Sequence, residues 1–146
     1  NYGFYVRDSN YKGNNGLVVA NARNLLSNII NTAEEAIASG KPSATLRFGH
    51  DGNLIPLAAI LGLEGCDESV SDPAEFYRHF ADFKIAPMAG NVQMVFVRNK
   101  KNPKDVLVKI MLNEEDRLVP EAGTPTVSTW YRWSNLRDHY RIKWSI

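Results

Sequence analysis

The chain has 146 residues, 44% hydrophobic and 23% charged, with 17 Lys and Arg against 16 Asp and Glu and a formal charge of +1. That balance excludes a disordered tail, and it excludes an overall field that recruits nucleic acid or an anionic membrane, so any anion binding has to be local. A chain of this size buries roughly 68–70% of its unfolded surface, enough for one domain over residues 1–146. The lone cysteine, Cys66, rules out an intramolecular disulfide and lacks the second Cys of a zinc or redox motif, which leaves it as a small buried or loop side chain.

No apolar run reaches the roughly 18 residues of a membrane span, and no basic region followed by an apolar stretch marks a targeting signal. A start at Asn1-Tyr2-Gly3 without methionine is what a processed product or a fragment has.

In chain order, residues 1–16 hold Tyr2, Phe4, Tyr5 and Tyr11 among Gly3, Gly13, Asn14, Asn15 and Gly16, the composition of an aromatic-anchored loop. From Leu17 to Ser39 the apolar residues Val18, Ala22, Leu25, Leu26, Ile29, Ile30, Ala33, Ala36 and Ile37 recur at helical spacing, and Gly40 is the natural stop. Ala44-Thr45-Leu46-Arg47-Phe48, bounded by Lys41-Pro42 and Gly49, reads as a short buried strand. A helix follows over Leu54 to Leu63, with Asn53 as N-cap and Pro56 in its first turn.

Residues 64–90 form an irregular polar excursion, with a short helix from Ala74 to Phe83 capped by Asp72 and started by Pro73. Val92, Met94 and Phe96, and then Val106, Val108 and Ile110, alternate with their neighbours as two strands. The polar loop 99–104 joins them in an antiparallel hairpin. Leu118 to Thr126 is a proline- and glycine-containing loop. Ser134 caps a last helix whose Leu136 and Tyr140 face inward beside Trp130 and Trp133. The fold class is α/β, part of a three-layer sheet with helices on its faces and a C-terminal β-hairpin and helix.

The stretch with chemical content is Arg47-Phe48-Gly49-His50-Asp51-Gly52-Asn53-Leu54-Ile55-Pro56-Leu57. It places an imidazole and a carboxyl between a strand's carboxyl end and a helix's amino end, where unpaired N–H groups and partial positive charge receive anions. Gly49 and Gly52 flank the pair without side chains and let a substrate approach the backbone. The bland alternatives are a helix-capping carboxylate for Asp51 and a packed imidazole for His50. His79, in Arg78-His79-Phe80, reads as an ordinary surface or packing histidine, and His139 beside Asp138 as a solvated one. The basic and aromatic C-terminus docks a last helix more readily than it binds nucleic acid. No metal-ligand spacing occurs.

His50-Asp51-Gly52-Asn53 after Arg47-Phe48-Gly49 resembles the second motif of the histidine acid phosphatases. Ile85-Ala86-Pro87-Met88-Ala89-Gly90-Asn91-Val92-Gln93-Met94-Val95-Phe96 is similar to the segment that follows it there, and Trp130-Tyr131-Arg132-Trp133-Ser134 is similar to carboxyl ends in the branch containing the multiple inositol polyphosphate phosphatases and their bacterial relatives. The likeness covers residues 17–146. It implies a histidine-phosphatase-like fold and phosphomonoester hydrolysis through a phosphohistidine, with inositol phosphates among the substrates, no cofactor and no metal. By the same resemblance His50 donates to a phosphate oxygen, Asp51 is the general acid, Asn53 orients the helix start and a leaving-group oxygen, and the protein is periplasmic or secreted.

Many of the inositol polyphosphate phosphatases carry Ala-Glu after this histidine. Here Asp51 follows directly, as in the acid phosphatases and histidine phytases. The nucleophile motif Arg-His-Gly-x-Arg-x-Pro is absent from the 146 residues, so the chain reads as a carboxyl-terminal segment whose partner is the remainder of the parent chain. The alternative is a non-catalytic phosphate-binding or interaction module of the same fold.

Overall fold

The aromatic-rich start of the chain, expected as a loop, is helical. In the computed structural model, which describes residues 2–70 and 72–146, α1 (Tyr2–Asp8) precedes a 3-10 turn at Lys12–Asn14. Short helices gain most of their stability from tertiary packing, and here Tyr5 supplies it. Its ring is 1% exposed and lies 5.4, 5.7 and 5.3 Å from the rings of Tyr11, Phe76 and Phe80. Its hydroxyl donates to the Val70 carbonyl at 2.7 Å and accepts the Val70 N–H at 2.6 Å, which ties α1 to the excursion. The Phe4 side chain lies outside the described structure.

The amphipathic stretch breaks at Ala22 into α2 (Leu17–Asn21) and α3 (Arg23–Ser39). The Ala22 N–H bonds to the Val19 carbonyl at 3.0 Å, a tightened 3-10 step. The phase shifts there, so that Val19 in place of Val18 is buried with Ala22, Leu26 and Ile30. Gly40 ends α3 as expected, at φ 69° in the left-handed region, with its N–H on the Ile37 carbonyl.

The expected buried strand Ala44–Phe48 is not one. Residues 42–50 belong to no helix or sheet and are exposed throughout, Leu46 at 77% and Phe48 at 94%. Arg47 fastens the segment to α3 through Asn28 Oδ1 at 2.7 Å and Thr32 Oγ1 at 2.9 Å. The residues are those of an interior strand, but such a strand needs a neighbour to hydrogen-bond and a covered face. Among the described residues it has neither.

α4 (Asp51–Ile60) starts earlier than expected: His50 is its N-cap and Asn53 its third residue. Pro56 therefore sits in the second turn, where its ring forgoes a backbone bond. The helix is apolar nearly all round and correspondingly central, with Ile55, Pro56, Ala58, Ala59 and Ile60 buried.

In the excursion no helix runs from Ala74 to Phe83. Asp72 Oδ1 accepts the Ala74 N–H at 2.8 Å, a 3-10 turn follows at Phe76–Arg78, and one helical turn, α5, spans Asp82–Ile85. From Ala74 to Ile85 only Phe80 and Ile85 are buried, too few for a continuous apolar face. Cys66 is buried, and desolvation pushes its thiol up to about 11, which leaves it a poor nucleophile.

The hairpin is as expected. β1 (Val92–Arg98) and β2 (Val106–Leu112) pair antiparallel from Val92↔Leu112 to Arg98↔Val106, with Val106, Val108, Ile110 and Leu112 buried. Two short strands join the other edge of β2: β3 (Glu115–Arg117) at Ile110–Leu112 and β4 (Tyr131–Arg132) at Leu107–Val108. α6 (Trp133–Trp144) begins with Arg132 as N-cap, two residues before the expected Ser134. Leu136 and Tyr140 face inward, and Trp133 packs edge-on to Phe96 at 5.1 Å. The architecture is mixed α/β, an antiparallel sheet with helices and a C-terminal strand and helix. No helix among the described residues is long and apolar enough to cross a membrane.

α6 also closes the end of α4. Tyr140 donates to the Leu61 carbonyl at 2.8 Å and Trp144 Nε1 to the Ile60 carbonyl at 3.1 Å, satisfying groups that a helix end leaves unpaired. Tyr140→Phe should cost about 1–3 kcal/mol, because the buried Leu61 carbonyl loses its donor. A urea midpoint lowered at unchanged m-value checks this, and an unmoved midpoint would show that the bond contributes nothing net.

Candidate functional site

His50 enters α4 with extended backbone, φ −111° and ψ 172°, while its carbonyl accepts the N–H groups of Asn53 at 2.9 Å and Leu54 at 3.0 Å. Asn53 Oδ1 reaches back to the His50 N–H at 3.3 Å. Asn53 is thus not the N-cap; it locks the N-cap residue from the third helical position, as the acidic partner of a capping box does. A β-carbon on Gly49 would lie 3.2 Å from that same oxygen, close enough that Asn53 would have to give by a few tenths of an ångström.

Asp51 opens the helix, and its Oδ1 accepts the Gly52 N–H at 2.7 Å. A carboxylate in this place is favoured by the helix dipole. The Gly52 and Asn53 N–H groups are already taken, by Asp51 Oδ1 and by the His50 carbonyl, so what this end offers a phosphate oxygen is the partial positive charge of the helix start. His50, Asp51 and Asn53 are all exposed at this one end of α4, so the fold brings the three residues singled out from the sequence together.

Two further groups border them. A recess on one side is lined by Asp51 and Ile55 of α4 with Asp82, Phe83, Ala86, Pro87 and Met88. Phe83 is 65% exposed and Met88 fully so, an apolar rim facing solvent. Arg7 and Asp8 stand on another side. Arg7 donates through Nε to Asp8 Oδ1 at 2.9 Å and through Nη2 to Asp8 Oδ2 at 2.5 Å. A β-carbon on Gly52 would lie 3.9 Å from Asp8 Oδ1.

The hydrogen bond and charge of Asp8 raise the Arg7 pKa above its ordinary value; burial opposes them slightly, and the charge of Asp51 adds a smaller push in the same direction. Neither Asp82 nor Arg7 was legible as a site residue. The Arg7-Asp8 dipeptide is an ordinary pair until α1 packs on α4.

The other candidates lie in different surroundings. His79 pairs with Glu68 on the surface of the excursion. His139, expected to be solvated, is half-buried with its ring 5.3 Å from that of Tyr140, and burial, then Lys143, lowers its pKa. Three of the C-terminal cations are engaged within the fold: Arg132 with Asp105 at 3.6 Å, Arg137 with Glu34 at 3.0 Å and Asp138 at 2.8 Å, and Lys143 with Glu121. No cluster of three or more His, Cys, Asp or Glu side chains that could hold a metal occurs among the described residues.

No family model and no curated protein sequence matches this chain. Solved structures do. The multiple inositol polyphosphate phosphatase of Bifidobacterium longum in complex with phosphate superimposes with a TM-score of 0.77 at 25% identity, over 97% of this chain and 30% of that one. Its complex with inositol hexasulfate gives 0.74 at 26% identity with the same coverage, and its apo form 0.69 at 26% identity over 90% of this chain and 28% of that one. By fold, and with a quarter of the aligned residues identical, this chain is similar to less than a third of a multiple inositol polyphosphate phosphatase.

Proposed function

We propose that the chain is the carboxyl-terminal segment, folded as one domain, of a histidine phosphatase that hydrolyses phosphomonoesters, inositol phosphates among them, and that it contributes the acid half of the active site. One observation carries the reading. An exposed imidazole and carboxyl share the amino end of α4, in a chain that superimposes along 97% of its length on a phosphatase solved with phosphate.

In this scheme His50 donates to an oxygen of the transferring phosphoryl group, with the positive end of α4 beside it. A histidine from the remainder of the polypeptide attacks phosphorus. The bond to the ester oxygen breaks, and Asp51 delivers its proton to the departing alcohol. Water then attacks the phosphohistidine, giving its proton to the Asp51 carboxylate, and inorganic phosphate leaves. Asn53 acts through the His50 backbone and orients a leaving-group oxygen.

The unpaired segment 42–50 and the open recess beside Asp51 support a site completed by further polypeptide. On the family resemblance alone we extend the reading to a periplasmic or secreted protein. The missing Arg-His-Gly-x-Arg-x-Pro favours a second reading, a phosphate-binding or interaction module without turnover.

Both readings require anion binding at His50. Titration with inorganic phosphate followed by NMR should shift the His50 ring and the amides of residues 51–54. Shifts around Arg137 with His50 unmoved would sink both.

A further inference from the structure

The recess beside Asp51 has one regular wall and one irregular one. Asp51 and Ile55 come from α4, while Asp82, Phe83, Ala86, Pro87 and Met88 come from a stretch with little structure of its own. α5 is a single helical turn, and no helix or strand runs from Ala86 to Asn91. Between them the Gly90 N–H bonds to the Pro87 carbonyl at 2.8 Å, with Ala89 at φ 60°, a left-handed conformation that a residue with a side chain seldom adopts. A stretch with so few bonds of its own keeps its place through contacts made from outside it.

The turn between β2 and β3 makes those contacts. Leu112 and Glu115 pair across it, so Asn113 and Glu114 form a two-residue hairpin loop, at φ 53° and 66°. Asn113 Nδ2 donates to the carbonyls of Lys84 at 3.0 Å and Ile85 at 3.2 Å, the last residues of α5. Its Oδ1 accepts the Asn91 N–H at 3.0 Å, and its own N–H donates to the Asn91 carbonyl at 2.9 Å. One residue thus holds both ends of the stretch that carries Ala86, Pro87 and Met88. The second position of such a loop favours glycine, because both residues have positive φ. Glu114 stands there instead, and its Oε1 accepts a bond from Asn91 Nδ2 at 2.8 Å. The turn is locally strained at Glu114 and tied to the wall by the same residue, a pairing that accompanies geometry kept for a site.

In the scheme above the proton of Asp51 goes to the leaving oxygen, so the leaving alcohol lies in the recess that Asp51 lines, against this wall. We propose that Asn113 is a positioning residue: by clamping α5 to Asn91 it fixes the wall that orients the leaving alcohol toward Asp51. It touches no substrate and acts through placement alone. The inference rests on the phosphatase reading of Asp51.

The test uses the full-length polypeptide, with an alkyl phosphate and an aryl phosphate of an acidic phenol. Asn113→Gly is at ease at positive φ, so it keeps the turn while losing every side-chain bond. It should lower kcat for the alkyl phosphate about tenfold, a misplacement cost that fits inside the roughly 10²–10⁴ a positioned acid contributes. The aryl phosphate does not need the proton, and its kcat should stay as it is. Asn113→Asp keeps an acceptor for the Asn91 N–H but has no donor for Lys84 and Ile85, and should show the same selective loss. With Asp51→Asn already in place, Asn113→Gly should have no further effect on the alkyl phosphate, because a residue that acts through the acid then has nothing to place. Hydrogen exchange should quicken at the Ala86 and Gly90 amides in Asn113→Gly and stay unchanged in the β1–β2 hairpin.

Equal losses on the two esters, no loss on either, unchanged exchange at Ala86 and Gly90, or an effect of Asn113→Gly that persists alongside Asp51→Asn would overturn the proposal and leave the phosphatase reading standing. If Asp51→Asn by itself spares the alkyl phosphate, or the unsubstituted polypeptide hydrolyses neither ester, that reading falls and the role of Asn113 with it.

Discussion

Asp51→Asn in the full-length polypeptide should lower turnover of alkyl phosphates by about 10²–10⁴-fold, the usual contribution of a positioned acid. An alkoxide leaving phosphorus carries developing negative charge and needs the proton. A phenolate with an acidic conjugate phenol does not, so an activated aryl phosphate should lose far less. The substitution is well placed for this comparison. Asp51 is exposed, and the side-chain oxygen that accepts the Gly52 N–H is retained in Asn, so the start of α4 keeps its hydrogen bond. Parallel kcat measurements on the two substrate types check the prediction. Equal losses, or an unfolded variant, would make Asp51 a structural cap.

The second large effect concerns the 146 residues on their own. They should give no turnover of an aryl phosphate above background, since an acid cannot replace an absent nucleophile. The longer polypeptide should be active. The same pair of samples tests the segment that ought to be a strand. Amide hydrogens of residues 44–48 should exchange freely in the 146-residue chain, where they are exposed and unpaired, and be protected in the longer one. Turnover by the 146 residues that disappears on His79→Ala would overturn the assignment of roles, since His79 is here an ion-paired surface residue of the excursion.

Some of this was legible in the residues alone. The β1–β2 hairpin follows from strict alternation around a polar loop, and the end of α3 from a glycine that adopts positive φ without strain. The inward face of α6 follows from the spacing of Leu136 and Tyr140. These are local periodicities, set by the backbone geometry of one element. The adjacency of His50 and Asp51 was equally plain, as was the reason a helix start would matter to an anion.

Tertiary structure decided the rest. Tyr5 makes a helix of α1 because Val70, Phe76 and Phe80 come to it, and none of them lies within its own turn. The shift at Ala22 depends on which face meets α4, and β3 and β4 are too short to show a period at all. Moving the N-cap from Asn53 to His50 turned on one side-chain bond returning from the third helical position, a geometry that composition does not encode. Ala44–Phe48 carries the pattern of a buried strand, yet a strand forms only where its backbone groups find a partner. Arg7 and Asp8 border the site only because packing sets Asp8 against Gly52: the field of a charge falls with distance in space, and the chain between them is no measure of that.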